Sequence, residues 1–467
     1  MDQIATILHL GQGSFHRAHQ AVYLQNLFDL GETEGGETGW LLAGGNIRPD
    51  MQVTEAHLIA QNGRYTLETV TPTGLRAYQT IDAISQVIPW EQNLRGLIAR
   101  GARPDTKIIS FTVTEAGYYL TPQNRLDTSF PDLASDLAQG TMLTIYGALA
   151  AILDARMQTG AGPVTLLSCD NLRGNGERSR AGLEEFLRLR GATALLDWVT
   201  RHTTSPNAMV DRITPRPSAE MVARVQRVRG WPDACPIMAE HFIQWVVEDH
   251  FAAGRPAWEK VGVEMVESVL PYEEAKIRIL NASHSAIAWA GTLRGMSYIH
   301  EGALDPEIAK IAHDYVTNDV LPCLTDNPLD LFRYRDAVLE RFTNADIQDT
   351  NQRVAADGYS KIPGFLVPTF QERLDAGASI ESVAMLPALF FVFLQHWAAG
   401  EVPYAYQDQA MDEPATSRML AAPDALKIFG RDRLLWGGLA GDARLEAALE
   451  RAHHRVLAWL QTKQPGV

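Results

Sequence analysis

Residues 4–20, IATILHLGQGSFHRAHQ, decide how the first half of this chain is to be read. IATILHL (4–10) is a short apolar run of strand length. It meets Gly11-Gln12-Gly13 and passes directly into a helical stretch, expected over roughly residues 16–29. A strand, a glycine turn and a helix in that order are what a dinucleotide-binding turn requires: Gly11 permits the tight turn, and Gly13 lets the backbone approach a pyrophosphate at the helix start. The third glycine of G-x-G-x-x-G is missing, because position 16 is His16. Two glycines at a strand–helix turn are common in themselves; position after a clean strand gives the motif its weight. Gly11, Gly13, Ser14, Phe15, His16 and Arg17 are therefore the candidate cofactor-binding residues.

Further apolar runs follow at WLLAGG (40–45), KIISFTV (107–113) and VTLLS (164–168), separated by helical stretches. This alternation predicts an α/β Rossmann-type domain with a mostly parallel sheet covered by helices. An acid that binds ribose is expected after the second strand, and Asp50 is the first to occur. Its spacing requires an insertion in the Gly- and Glu-rich loop 31–38. As a ribose ligand Asp50 favours NAD; as a solvated loop acid it does nothing, and Arg48 beside it suits a 2′-phosphate instead.

From Pro271 onward the pattern changes to long helical segments, at 271–293, 307–320, 334–342, 381–398 and 443–461. The expectation is a dinucleotide-binding domain over 1–268 and a mainly α-helical substrate domain over 269–467, with the cleft between them as the default site. At 467 residues the chain is too long for one ordinary core. With 46% hydrophobic and 21% charged residues it is globular in composition, and a net charge of −15 argues against nucleic acid or an anionic membrane as partner. Three cysteines without a C-x-x-C pair predict neither a disulfide framework nor a zinc cluster. No signal peptide or run of 18 apolar residues is seen, so a cytoplasmic location is expected.

PYEEAKIRILNASHSAIAWAG (271–291) holds the candidate chemistry. At about 100° per residue, Lys276, Asn281 and His284 fall at roughly 0°, 140° and 80° on one helix, so all three can face one cavity. A lysine kept neutral by its pocket can take up a proton, an amide can donate to a developing alkoxide, and an imidazole can orient an oxygen. Helical lysines are more often solvated, and helical Asn and His more often cap or pack, so the triplet gains its force from the other motifs. Asn171, in Ser168-Cys169-Asp170-Asn171 at a strand end, is a second amide donor, or else part of an Asx turn. Glu115 after KIISFTV can relay a proton or simply start a turn. Asp211 beside Arg212 reads most simply as a structural ion pair. Tyr272-x-x-x-Lys276 mimics the tyrosine–lysine pattern of short-chain dehydrogenases, but the chain is about twice too long and lacks their glycine start. His16-x-x-His19 lacks a carboxylate or cysteine to complete a metal site, and no metal is expected.

GQGSFHRAHQ (11–20), TVTEAGYY (112–119), SCDNLRGNGE (168–177), NAMVDRITP (207–215), PYEEAKIRILNASH (271–284) and RVAADGYSKIP (353–363) together resemble the polyol-specific long-chain dehydrogenases, over nearly the whole chain. The resemblance implies a metal-independent enzyme, often monomeric, that oxidises an uncharged sugar alcohol with NAD. D-Arabinitol to D-xylulose is the first expectation and D-mannitol to D-fructose the second; the alternatives are D-mannitol oxidation as the main activity, or a uronate or sugar-phosphate reductase. It implies Lys276 as acid/base, Asn171 and Asn281 on the reacting oxygen, and His284 as the orienting residue. It places Asp211, Arg353 and Lys361 near substrate hydroxyls and Glu115 in proton exchange. NAD-preferring members tend to carry two adjacent acids after the second strand, where this chain has Asp50-Met51.

Overall fold

A computed structural model describes residues 4–34, 39–121 and 123–462. Two compact units emerge, the first running to Val70 and then from Arg76 to Leu270, the second comprising Thr71–Leu75 and Pro271 onward.

The first unit is built on a six-stranded sheet whose strand pairs are all parallel. Ala5–Leu10 lies at its centre, between Trp40–Gly45 and Thr106–Phe111; Val164–Ser168 follows outside Thr106–Phe111. Successive side chains on a strand point to opposite faces. Accordingly Ile7, Ile108 and Leu167 enter one apolar core, while Leu8, Leu10, Ile109, Phe111 and Leu166 enter another. Both faces are covered, which is why these strands read as continuous apolar runs. Gly101 allows one covering helix to sit close, since a Cβ there would lie 2.2 Å from Ile152. Two three-stranded sheets complete the unit, one of them Glu264–Val266, Gln244–Glu248 and Ala208–Asp211.

The expected first helix differs in detail. It begins earlier, at Ser14–Ala18, breaks at His19 and continues as Gln20–Glu34. The His19 backbone, at φ −127° and ψ −85°, leaves the helical region there. Residues 35–38 of the proposed insertion lie outside the described residues.

The second unit is helical. Met385–Ala398 is its centre, with its first ten residues, MLPALFFVFL, all buried. A helix apolar all round is a core helix, and here the amphipathic Ala443–Gln461 and the segment Ala282–Leu293 share its core. Leu270–Ala275 and Ala282–Leu293 are joined by Lys276–Asn281, which is wound as a π-helix. No helix among the described residues is long and apolar enough to cross a membrane.

Candidate active site

The glycine turn of the first unit borders a cavity of about 590 Å³. Gly11 has φ +107°, and a Cβ there would lie 2.5 Å from the Thr112 carbonyl oxygen, so position 11 admits only glycine without strain. A Cβ on Gly13 would meet nothing within 4 Å, so at Gly13 the open backbone faces free space. The turn is anchored from behind. Gln12 N donates to Asn46 Oδ1 (2.9 Å), Asn46 Nδ2 to Glu55 Oε2 (3.3 Å), and Trp90 N to Glu55 Oε1 (2.8 Å). One chain of bonds thus fixes the loops after the first two strands relative to each other.

Gly11, Gly13, Ser14, Phe15, His16 and Asp50 all line this cavity, with Ile47, Val113 and Ile145 supplying apolar wall. Arg17 does not line it. Its guanidinium turns inward, donates to the Cys235 carbonyl (2.6 Å) and lies over the Tyr65 ring. His16 stacks on His9 with ring centroids 3.5 Å apart, and neither His16 nitrogen makes a well-formed hydrogen bond. Burial lowers the His16 pKa to about 3, outweighing the opposing pull of Gln20, so the ring is neutral at pH 7. Arg48, also at the cavity, is tied to Asp132 at 2.7 Å. Glycine backbone without Cβ, unspent imidazole nitrogens, apolar walls and a carboxylate for hydroxyls are a donor set that fits a dinucleotide.

Two other predicted residues of this unit sit on exposed turns: Glu115 opens the short turn Glu115–Tyr118, and Asn171 follows the strand Val164–Ser168. Asp170, read from the sequence only as part of the turn with Asn171, links their segments. It accepts from Val113 N (2.9 Å), Thr114 N (2.8 Å) and Tyr118 Oη (3.0 Å). Burial raises its pKa to about 6 against those bonds. Asp211 is buried on the strand Ala208–Asp211. Its neighbour Arg212 donates to the carbonyls of Ala18 (2.6 Å) and Glu240 (3.0–3.1 Å), holding the first helix to this sheet.

In the helical unit Lys276 and His284 are buried and Asn281 is half-buried. Lys276 and Asn281 bound the π turn. An i→i+5 ladder winds wider than an α-helix, so residues five apart come nearer to one face than α counting gives. On the other side of the same turn, Arg278 is fixed by Glu372 (3.0 Å to each carboxylate oxygen) and Thr369 (3.0 Å).

His284 stacks on Phe342, with ring centroids 4.5 Å apart. Its Nε2 faces Asp349 Oδ2 at 3.2 Å. Burial lowers the imidazole pKa and prevails over the Asp349 carboxylate, which raises it; the ring is neutral at pH 7. For Asp349 the balance is reversed: burial raises its pKa, but His284 and Arg353 together hold it well below the usual carboxylate range. Arg353 binds Asp349 through both Nε (2.7 Å) and Nη2. Lys361 donates to the Val354 carbonyl (2.6 Å), and burial lowers its pKa to about 8. The structure thus brings His284, Arg353 and Lys361 into one electrostatic group, and adds Asp349. The sequence signal for Asp349 was its place four residues before Arg353, the helical spacing of an ion pair. Among the described residues, no three His, Cys, Asp or Glu side chains are placed to hold a metal ion.

The mannitol dehydrogenase Rossmann domain matches residues 5–260, and the mannitol dehydrogenase C-terminal domain residues 268–457. The D-arabinitol 4-dehydrogenase of Ralstonia nicotianae is 58% identical over 453 residues, 97% of either chain. That of Klebsiella pneumoniae is 56% identical over 443 residues, 95% of this chain and 96% of its own. Among solved structures, the mannitol 2-dehydrogenase of Pseudomonas fluorescens, in a ternary complex with NAD and D-mannitol, superposes with a TM-score of 0.83 at 34% identity, covering 98% of this chain and 94% of its own. Both halves match their domain models and the relatives match nearly end to end: the chain belongs to the mannitol dehydrogenase family.

Proposed function

We propose that this chain oxidises D-arabinitol to D-xylulose with NAD, that D-mannitol to D-fructose is its second activity, and that it needs no metal. The observation that carries the reading is the match to D-arabinitol 4-dehydrogenases over almost the whole of both chains. When bound, NAD accepts a hydride from the alcohol carbon. Gly11, Gly13, Ser14, Phe15 and His16 would hold its phosphates, and Asp50 its ribose hydroxyls. Arg48, the residue suited to a 2′-phosphate, is already held by Asp132, which supports NAD rather than NADP.

Lys276 takes the hydroxyl proton as the hydride leaves, and burial keeps water from competing with it. Asn171 and Asn281 donate amide hydrogens to the oxygen as it acquires charge. Asp211, His284, Arg353 and Lys361 read the remaining hydroxyls, and Glu115, on an exposed turn, passes the proton to solvent. The arrangement of Arg353 favours a neutral polyol over a uronate, because its fork already holds the carboxylate of Asp349.

The test is a panel of kcat/KM values with NAD for D-arabinitol, D-mannitol, D-sorbitol, xylitol, L-arabinitol and, in the reducing direction, fructuronate. A site built to bond a hydroxyl rejects an analogue lacking it by up to roughly 10⁴-fold, whereas one extra carbon at an open end costs far less. D-Arabinitol should lead, with D-mannitol next. A series led by xylitol or D-sorbitol, or activity confined to fructuronate, would overturn the assignment.

A further inference from the structure

We propose that Asp349 is a positioning residue for substrate recognition: it grips Arg353 and stands against His284, so that the two groups are set as one unit. The inference rests on the proposed reading of His284 and Arg353 as hydroxyl-reading residues. Asp349 touches neither substrate nor cofactor in this assignment; it acts through its two neighbours.

The geometry is specific. One carboxylate takes both Nε and Nη2 of Arg353, and its Oδ2 lies 3.2 Å from His284 Nε2. The Asp349 side chain is 8% exposed, whereas that of Arg353 is 64% exposed, so the acid is the fixed partner and the guanidinium the held one. The backbone around Asp349 is fastened to the segment that follows the helix carrying His284. Ile299 N donates to Asp349 O (2.9 Å), Asn351 N to Ser297 O (2.9 Å), and Asn351 Nδ2 to Met296 O (3.0 Å). Asn351 packs on Gly291, where a Cβ would lie 2.8 Å from its Nδ2, and Trp289 Nε1 reaches Ala355 O (3.3 Å). Every one of these ties runs between Trp289–Ile299 and Asp349–Ala355. They hold a short, structurally exacting segment against the helix, and Asp349 is its charged tip.

Two consequences follow from the chemistry. An exposed arginine that loses its carboxylate regains rotamer freedom, so the fork ceases to be preorganised. For a neutral imidazole, a carboxylate selects the tautomer with the proton on the facing nitrogen and leaves the lone pair on the other. That other nitrogen is then an acceptor of defined direction for a hydroxyl.

The experiment compares wild type, Asp349→Asn, Asp349→Glu, Arg353→Ala and the Asp349→Asn/Arg353→Ala double variant. Steady-state kinetics with D-arabinitol, NADH affinity by fluorescence, and imidazole ¹⁵N shifts at pH 7 are measured, with His284→Gln to assign the His284 signals. Asp349→Asn should raise KM about tenfold with a smaller change in kcat and an unchanged NADH affinity. Asp349→Glu should recover part of the loss. Arg353→Ala should add less than about twofold on top of Asp349→Asn, because residues acting as a unit are not additive. In wild type the ¹⁵N shifts should show one His284 tautomer, and in Asp349→Asn a mixture. Additive losses in the double variant, a KM within twofold of wild type in Asp349→Asn, or a tautomer mixture already in wild type would each overturn the proposal. The wild-type ¹⁵N spectrum decides even if Asp349→Asn fails to fold. It decides as well if no polyol is turned over, an outcome that sinks the substrate assignment instead.

Discussion

Lys361 gives the helical unit a titration within the working range. Burial lowers its pKa to about 8; the nearby Arg353 pushes it the same way, while Asp357, Asp408 and Asp349 oppose. It is charged below about pH 8 and neutral above. If its ammonium donates to a polyol hydroxyl, binding favours the protonated form, so affinity is lost as pH rises through about 8. KM for D-arabinitol should therefore climb by about tenfold between pH 7 and 9.5, and Lys361→Gln should have a high, flat profile. A wild-type KM constant over that range contradicts the role. Tyr272 makes a complementary case. Its spacing to Lys276 mimics another enzyme class, yet it lies in the turn before the π segment, and Tyr272→Phe should leave kcat within about twofold. Arg17 shows what a motif cannot convey. It adjoins the glycine turn in sequence, but its hydrogen-bond partner, Cys235, is 218 residues away.

At the scale of elements, the strands Trp40–Gly45 and Val164–Ser168 match the expected runs residue for residue. Strands buried on both faces leave a continuous apolar signature, which is hard to misplace. The helix through Lys276 was equally legible as a helix, but its π turn was not. Apolar periodicity does not distinguish an i→i+5 ladder from i→i+4 over a single turn. Deleting Ile277 should restore α winding and leave Lys276 and Asn281 four residues apart, about 40° from each other on one face. Far-UV circular dichroism should then be unchanged and kcat should stay within about tenfold; a loss beyond about 10²-fold would show that the π turn itself sets the geometry. The tie at Gly291 allows a milder test. Gly291→Ala places a Cβ 2.8 Å from Asn351 Nδ2 in a packed interior, and should lower stability by about 1–3 kcal/mol in denaturant titration. Spacing pairs Asp349 with Arg353, but its place beside His284, on a separate helix, arises only on folding.

For the molecule as a whole, a strand–helix first half and a helical second half were apparent from the change in pattern near Pro271. The short segment Thr71–Leu75, which belongs with the helical unit, carried no such signal. Five residues in a hairpin turn have no periodicity to read. The cavity at the glycine turn was legible because its glycines and Asp50 follow strand ends; the hydroxyl-reading role proposed for Asp211, Arg353 and Lys361 came only from family resemblance. Activity should survive dialysis against EDTA, and a loss restored by zinc would replace the lysine mechanism with a metal one. The most direct measurement is kcat for D-arabinitol with NAD in Lys276→Ala, taken with its NADH dissociation constant. Loss of a general base costs about 10²–10⁴-fold, so kcat should fall at least that far while NADH affinity stays within about twofold. A folded Lys276→Ala enzyme that turns over at nearly the wild-type rate would contradict lysine-based polyol oxidation.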